Sequence, residues 1–351
     1  MSSVIKVVSV PGDGIGPEVN GQAVRVLEAV MKLAGRSLEV VELPMGGVAL
    51  DAGDKALPDR TRDACLQADA VLLGAVGLPK YDGVPGDRRP EKGLLDLRKA
   101  LGVYANLRPV RSIPSLIDAS PLKRDIVEGT DMLVVRELLS GVYFGQPRGI
   151  EGDYAYNTMG YYKHEVQRVA RIAFEAARKR RNTVTSVDKA NVLEVSQLWR
   201  QTVKELHQAE FSDVTLEHQY VDSAAMDLIR NPRRFDVVVT SNLFGDILTD
   251  AAAVLPGSIG LLASASLGDG PGLFEPIHGS APDIAGKGIA NPLGSIGSVA
   301  WMLNTSLKMP EWGARIEKAI DQALDDGART RDLGGNLSTQ EMGDLICQAL
   351  R

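Results

Sequence analysis

The sequence predicts an α/β protein with a largely parallel sheet, and three observations point that way. Short apolar, β-branched runs alternate with amphipathic stretches along most of the chain, the pattern of strand–helix–strand units that builds parallel sheets. The connections are rich in glycine, 36 of 351 residues, against a usual ~7%. At roughly 150 residues per domain, this length predicts two domains.

The elements follow in order. Residues 4–10 are apolar and β-branched and predict a first strand. Pro17 opens a helix over 17–34, because a proline's missing N–H costs nothing in the first turn. Residues 37–43 read as strand, 59–67 as helix, 70–73 as strand and 91–101 as helix. Residues 132–136 predict a short buried strand. Segments 143–148 and 154–159 flank a Gly-Ile-Glu-Gly-Asp turn and predict a hairpin-like pair. The helix over 164–181 places Val166, Val169, Ala170, Ala173, Phe174 and Ala177 on one face. Its end, Arg178 to Arg181, reads as a solvated cationic terminus favoured by the helix dipole. Strand 183–187, helix 192–207, strands 214–221 and 236–240, and helix 243–253 come next. Helices over 295–307, 312–326 and 339–350 close the chain. No composition shift marks a domain boundary.

Hydrophobic residues at 44% and charged residues at 24% exclude a disordered chain. Aromatics at 5% argue against base stacking, and a net charge of -6 gives no general attraction for polyanions. No nucleic-acid partner is expected. Cys65 and Cys347 make neither a disulfide framework nor a zinc knuckle, which fits a reducing compartment. The first residues show no signal-peptide pattern. The most apolar stretch, 251–267, is broken by Pro256, Gly257 and Gly260 and falls short of the ~20 residues of a membrane span. A cytoplasmic protein with no membrane partner is expected.

Four constellations could carry chemistry. Pro11-Gly-Asp-Gly-Ile-Gly-Pro-Glu18 lies between a strand and a helix. Its Gly-x-Gly-x-Gly spacing is not the dinucleotide fingerprint, and a plain turn is the competing reading. Asp246 and Asp250 are four apart, on one helix face, among apolar neighbours. They repel unless a cation sits between them, and Asp222 could add a third oxygen. All-carboxylate ligation suits Mg2+ or Mn2+, while two surface acids are the bland alternative. Arg98, Arg108 and Arg136 offer forks for carboxylates, or structural ion pairs. The stretch 272–292, with His278, Asp283, four glycines and three prolines, has no periodicity, as functional loops often do not. Its backbone N–H groups could approach a pyrophosphate, and an Asp there could accept both ribose hydroxyls of NAD.

From Val8 to Leu350 the chain resembles the β-decarboxylating dehydrogenases, the family that holds isocitrate and isopropylmalate dehydrogenases. The markers are Gly12-Asp-Gly-Ile-Gly-Pro-Glu18, Pro90-Glu-Lys-Gly-Leu-Leu95, Ala105-Asn-Leu-Arg-Pro109, Val135-Arg-Glu137, Tyr143-Phe-Gly145, Val187-Asp-Lys-Ala-Asn-Val192, Tyr220-Val-Asp222, 242–250 and 278–292. The resemblance implies a two-domain isopropylmalate-dehydrogenase-like fold that is not the Rossmann fold. It implies a discontinuous cofactor domain, 1–100 with 253–351, and a substrate, metal and dimerisation domain, 101–252, with a β-arm near 145–160.

The resemblance also implies roles. Arg98, Arg108 and Arg136 match the arginines that hold the malate carboxylates. Glu91, Leu94 and Leu95 match the segment facing the substrate's variable group, and two leucines suit an isopropyl group. Asp222, Asp246 and Asp250 match the metal ligands, with Asp222 also touching substrate. Tyr143 and Lys189 match the acid–base pair. Lys189 and Asp222 would come from the other subunit of an obligate homodimer. Gly279, Ser280, Ala281, Asp283, Ile284 and Asn291 match the NAD loop, beside His278, Glu275 and Asp332, while Leu78 and Glu91 match a second cofactor-lining segment. Asp283 favours NAD over NADP, and Lys287, between two glycines, is expected to be solvated. The implied reaction is NAD-dependent oxidative decarboxylation of 3-isopropylmalate in leucine biosynthesis. A relative acting on 3-methylmalate, D-malate or tartrate is the alternative. A non-catalytic regulatory subunit would have lost some of these groups, and none is lost. Leu78 stands where Gly is usual, Tyr81 where Trp is usual, and the arm after Gly149 is a few residues short.

Overall fold

Apolar runs become strands and amphipathic runs become helices in the computed structural model, which describes residues 4–351 apart from the side chain of Asp87. The strands are β1 (Ile5–Gly12), β2 (Leu38–Glu42), β3 (Ala70–Ala75), β4 (Val103–Arg111), β5 (Asp131–Glu137), β6 (Arg148–Glu151), β7 (Tyr154–Asn157), β8 (Thr183–Asp188), β9 (Thr215–Tyr220), β10 (Val237–Thr240), β11 (Ala263–Gly268) and β12 (Gly272–Pro276). The helices are α1 (Gly16–Leu33), α2 (Gly47–Asp51), α3 (Asp59–Leu66), α4 (Pro90–Leu101), α5 (Arg124–Val127), α6 (Lys163–Arg178), α7 (Glu194–Glu210), α8 (Val221–Arg230), α9 (Asn242–Ala252), α10 (Leu293–Asn304), α11 (Pro310–Asp325) and α12 (Thr339–Ala349).

The chain forms two compact units. The first holds the described residues up to Val103, Ile113–Ala119 and Gly257–Arg351; the second holds Tyr104–Ser112 and Ser120–Pro256. The short piece Ile113–Ala119 belongs to the first unit, although the sequence reading put it in the second. Two contacts tie it there: the Arg329 guanidinium donates to the Ser115 carbonyl, and Gly257 lies against Ala119.

In the first unit the strand order is β2-β1-β3-β12-β11, parallel except for the β11–β12 pair. Helix α1 starts at Gly16-Pro17 and carries Glu18 in its first turn and Lys32 in its last, both favourable to the dipole. Its buried face is Val19, Ala23, Val26, Leu27 and Val30. In the second unit the order is β4-β5-β10-β8-β9, with β4–β5 antiparallel and the rest parallel. Helix α6 buries the six residues its periodicity predicts, all completely. Each large apolar side chain so buried contributes ~1.5–3 kcal/mol.

Three expectations are corrected. Strands β4, β11 and β12 went unread, and the stretch from Gly272 begins as strand, not loop. All five residues of β12 are buried, so no alternation betrays it. The hairpin is shorter and later than expected: Gly141–Tyr143 is a 3-10 turn, and only Arg148–Glu151 pairs with Tyr154–Asn157. Finally, α6 stops at Arg178; Arg178, Lys179 and Arg181 are exposed, as expected of a solvated end, and Arg180 alone of the four is half-buried. Arg178 pairs with Asp213, Arg180 with Asp131 and the buried Asp236, and Arg181 donates to the Phe235 carbonyl.

Candidate active site

In the second unit, the end of β5 delivers Arg136 onto α9. The side chain is 2% exposed; its Nε and Nη2 donate to Asn242 Oδ1 at 3.1 and 2.7 Å, and its Nη1 donates to Asp246 Oδ1. The approach requires Gly245, because a Cβ there would sit 2.6 Å from Arg136 Cγ. Arg108, on β4, donates to Asn106 Oδ1 at 2.7 Å, Thr249 Oγ1 at 2.6 Å and Asp250 Oδ1 at 3.3 Å. Its Nη2 also lies 3.8 Å from Asp246 Oδ1.

The two aspartates therefore share a face of α9, as their spacing predicts, and guanidinium groups supply nearby positive charge. Tyr143 donates its hydroxyl to Asp246 Oδ2 at 2.6 Å, and the Arg136 guanidinium carbon stands 5.6 Å from the Tyr143 ring centre. Burial, with the bond to Asp246, pushes the Tyr143 hydroxyl up to about 12. Burial also raises the Asp250 carboxyl, with the Asp246 charge adding to it and Arg108 opposing it.

Lys189, just after β8, pairs with Asp222 Oδ1 at 2.5 Å, and that bond lowers the Asp222 carboxyl. Among the described residues, no group of three or more His, Cys, Asp or Glu is placed to hold a metal ion. Asp222 is thus engaged with Lys189 rather than brought together with Asp246 and Asp250.

The sequence reading missed what lies beneath Arg136. Glu137 is fully buried and accepts the N–H groups of Leu139 and Ser140 at 2.9 and 3.0 Å. Burial pushes its carboxyl up to about 7, against the pull of these bonds and of Arg168. Tyr161 bonds to Glu137 and accepts the Asn242 N–H at 2.8 Å, at the start of α9. The signal was available as polar residues inside apolar runs, which need partners.

In the first unit, Glu91, Leu94, Leu95 and Arg98 are spaced three and four apart on α4, so they share a face. The two leucines are half-buried. Arg98 donates to Glu275 Oε1 on β12 at 2.7 Å, and its buried Nε has no partner. Leu78 packs where Gly47 lacks a Cβ, which makes room for a leucine at that position. Tyr81 donates to Asp51 Oδ1 at 2.6 Å.

The loop after β12 walls a cavity of about 440 Å³ lined by Ile15, His278, Ile284, Lys287, Asn291 and Asp332, among others. Ile15, Val19 and Ala290 form an apolar cluster with Ala281 and Ile284. Asp332 Oδ2 accepts from Ser258 Oγ and Asn291 Nδ2 at 2.5 and 3.0 Å. His278 Nδ1 meets the Gly279 carbonyl at 2.9 Å, its Nε2 is buried without a partner, and burial lowers its pKa. With Nδ1 donating, the neutral ring presents Nε2 as an acceptor. Ser280 is buried, whereas Gly279 and Asp283 are exposed. Lys287 is exposed, as expected of a solvated turn, and stands at the cavity lining.

The Isocitrate/isopropylmalate dehydrogenase family matches residues 6–346. The 3-isopropylmalate dehydrogenase of Salinibacter ruber is 60% identical over 93% of this chain and 89% of its own length. That of Anaeromyxobacter dehalogenans is 55% identical over 98% of this chain and 99% of its own length. Among solved structures, an isocitrate dehydrogenase from Methylococcus capsulatus superposes with a TM-score of 0.87 at 34% identity, covering 99% of this chain and 100% of that one.

Proposed function

The chain belongs to the isocitrate/isopropylmalate dehydrogenase family, and from that premise we propose that it catalyses the NAD-dependent oxidative decarboxylation of 3-isopropylmalate to 2-oxo-4-methylpentanoate, a step of leucine biosynthesis in the cytoplasm. The observation that carries the reading is the arrangement around Asp246. One unit holds a carboxylate pair on a helix face, two guanidinium forks beside it and a protonated phenol.

Asp246 and Asp250 offer hard oxygens suited to Mg2+ or Mn2+, and the cavity around His278 offers an apolar floor and an unpartnered acceptor suited to an adenosine. When bound, the metal ion supplies Lewis acidity at the substrate's C2 oxygen and NAD supplies the hydride acceptor. By the family resemblance, Arg98, Arg108 and Arg136 are assigned to the substrate carboxylates, and Leu94 and Leu95 to the isopropyl group. Lys189 takes the C2 hydroxyl proton as hydride leaves C2. The keto acid then loses its β-carboxylate as CO2. Tyr143, protonated at neutral pH because its hydroxyl is held near 12, donates a proton to C3.

Lys189 and Asp222 are assigned to the site of a second copy, which makes the enzyme a homodimer. Their mutual pairing, away from Asp246, is compatible with that role. Among the described residues no helix is long and apolar enough to cross a membrane.

The test is NADH formation from 3-isopropylmalate with Mg2+. Activity is expected, lost on chelation, with kcat/KM ~10–200-fold above that for unsubstituted malate. No turnover would overturn the reading. Equal kcat/KM for the two would remove the role given to Leu94 and Leu95, and a preference for 3-methylmalate or tartrate would move the chain to a neighbouring activity.

A further inference from the structure

We propose that the turn carrying Asp13 and Glu18, to which the reaction assigns no role, positions the dinucleotide by latching the two segments that line its site. The inference rests on the cofactor reading of residues 78–91 and 279–291 given above, and all of its parts lie in the first unit.

Asp13 is 3% exposed and accepts three backbone N–H groups, from Gly47 and Val48 at 2.9 Å and from Gly77 at 2.8 Å. Two of these open α2, and the third opens the 78–91 segment. At the far end of α2, Asp51 accepts from Lys80 Nζ and the Tyr81 hydroxyl, both at 2.6 Å. The segment is therefore tied to both ends of one short helix.

The same turn reaches the other segment. Ile15 N–H donates to the Ser280 carbonyl at 2.8 Å. Gly14 sits so close that a Cβ would lie 1.9 Å from that oxygen, and its φ is +59°. Glu18 then accepts the N–H groups of both Gly286 and Gly288, the second at 2.9 Å. Both glycines have positive φ, so the two N–H groups form a concavity for an anion. The anion there is Glu18. These N–H groups are consequently spent and do not serve a pyrophosphate, while Lys287, held between them, is directed to the cavity.

Glu18 is a positioning residue, and its role differs from a structural one. It lies off the buried face of α1, so its loss frees the loop without opening the core. The experiment uses the full chain with Glu18→Gln and Glu18→Ala, reading NADH Kd by fluorescence titration, KM for 3-isopropylmalate and the unfolding midpoint. NADH Kd should rise ~10-fold in Glu18→Ala and less in Glu18→Gln, which keeps one acceptor oxygen. KM for 3-isopropylmalate should hold, and the midpoint should fall by no more than ~4 °C, the worth of the dipole contribution. An unchanged NADH Kd, or a parallel rise in substrate KM, would overturn the proposal. Amide exchange at Gly286 and Gly288 tests the latch without cofactor and without relying on Glu18→Ala to fold. Slow exchange in the unaltered chain and faster exchange in Glu18→Gln support it, and equal exchange in both overturns it. If the unaltered chain binds no NADH, the cofactor reading fails, and exchange alone decides whether the latch exists.

Discussion

Around Asp246 each charged group already has a partner within the chain, whereas the cavity around His278 keeps a buried ring nitrogen with none. On the proposed assignment, the two regions meet their ligands in different ways. Near α9, Arg136 and Arg108 are committed to Asn242, Thr249 and the aspartates. An incoming anion must share those forks, and an incoming cation must share those carboxylates. Charge balance then selects the ligand, since either ion alone leaves a partner poorly compensated. In the cavity, an apolar floor and satisfied backbone leave shape and a few polar contacts to select.

The largest expected effect tests the charge-balanced side. Asp246→Asn keeps oxygen for Tyr143 or Arg136 but removes a carboxylate from the α9 pair. Activity at saturating Mg2+ should fall ~1,000-fold, about 4 kcal/mol in the barrier, with the fold retained. An unchanged Mg2+ activation curve would show that α9 does not hold the metal.

A smaller effect tests the cavity. NAD should be preferred over NADP by ~100-fold in kcat/KM, because a carboxylate that accepts both ribose hydroxyls repels a 2′-phosphate. Asp283 is exposed and Lys287 lines the cavity, so this ratio also weighs the acid against the cation. The double change Asp283→Lys with Ile284→Tyr should move the ratio toward NADP. A ratio near one in the unaltered enzyme would assign the ribose end to Lys287 instead.

The smallest effect concerns the support beneath Arg136. Burial holds the Glu137 carboxyl near 7, above its unfolded value. Its stabilising contribution is therefore complete below the unfolded pKa and is lost as pH rises through about 7. Glu137→Gln should gain on the unaltered protein by about 2–3 kcal/mol between pH ~5 and pH ~8. Unfolding free energies across that range check it, and a constant difference would mean that Glu137 stays ionised throughout.

These regions also differ in how far the sequence disclosed them. The Asp246–Asp250 spacing and the buried stripe of α6 were legible because helical periodicity is local. Strand β12 was not, because burial on both faces erases alternation. Nor was the half-burial of Arg180 legible, because its partners Asp131 and Asp236 are 49 and 56 residues away. Glu18 and its glycines are separated by 268 and 270 residues. No spacing rule spans such distances; the sequence drew attention to both stretches, 11–18 and 272–292, but nothing in it paired them.

The discontinuity of the first unit has a consequence for synthesis. Strand β3 takes β12 as a neighbour, Ala70 opposite Gly272 and Leu72 opposite Phe274, so its second edge stays unpaired until most of the polypeptide has left the ribosome. The second unit ends at Pro256 and has its strands in hand earlier. At about 5–20 residues per second, the nearly two hundred residues between β3 and β12 take on the order of ten seconds or more to appear. For that interval the β3 edge has no partner within the chain, the kind of apolar edge that is open to pairing with other chains.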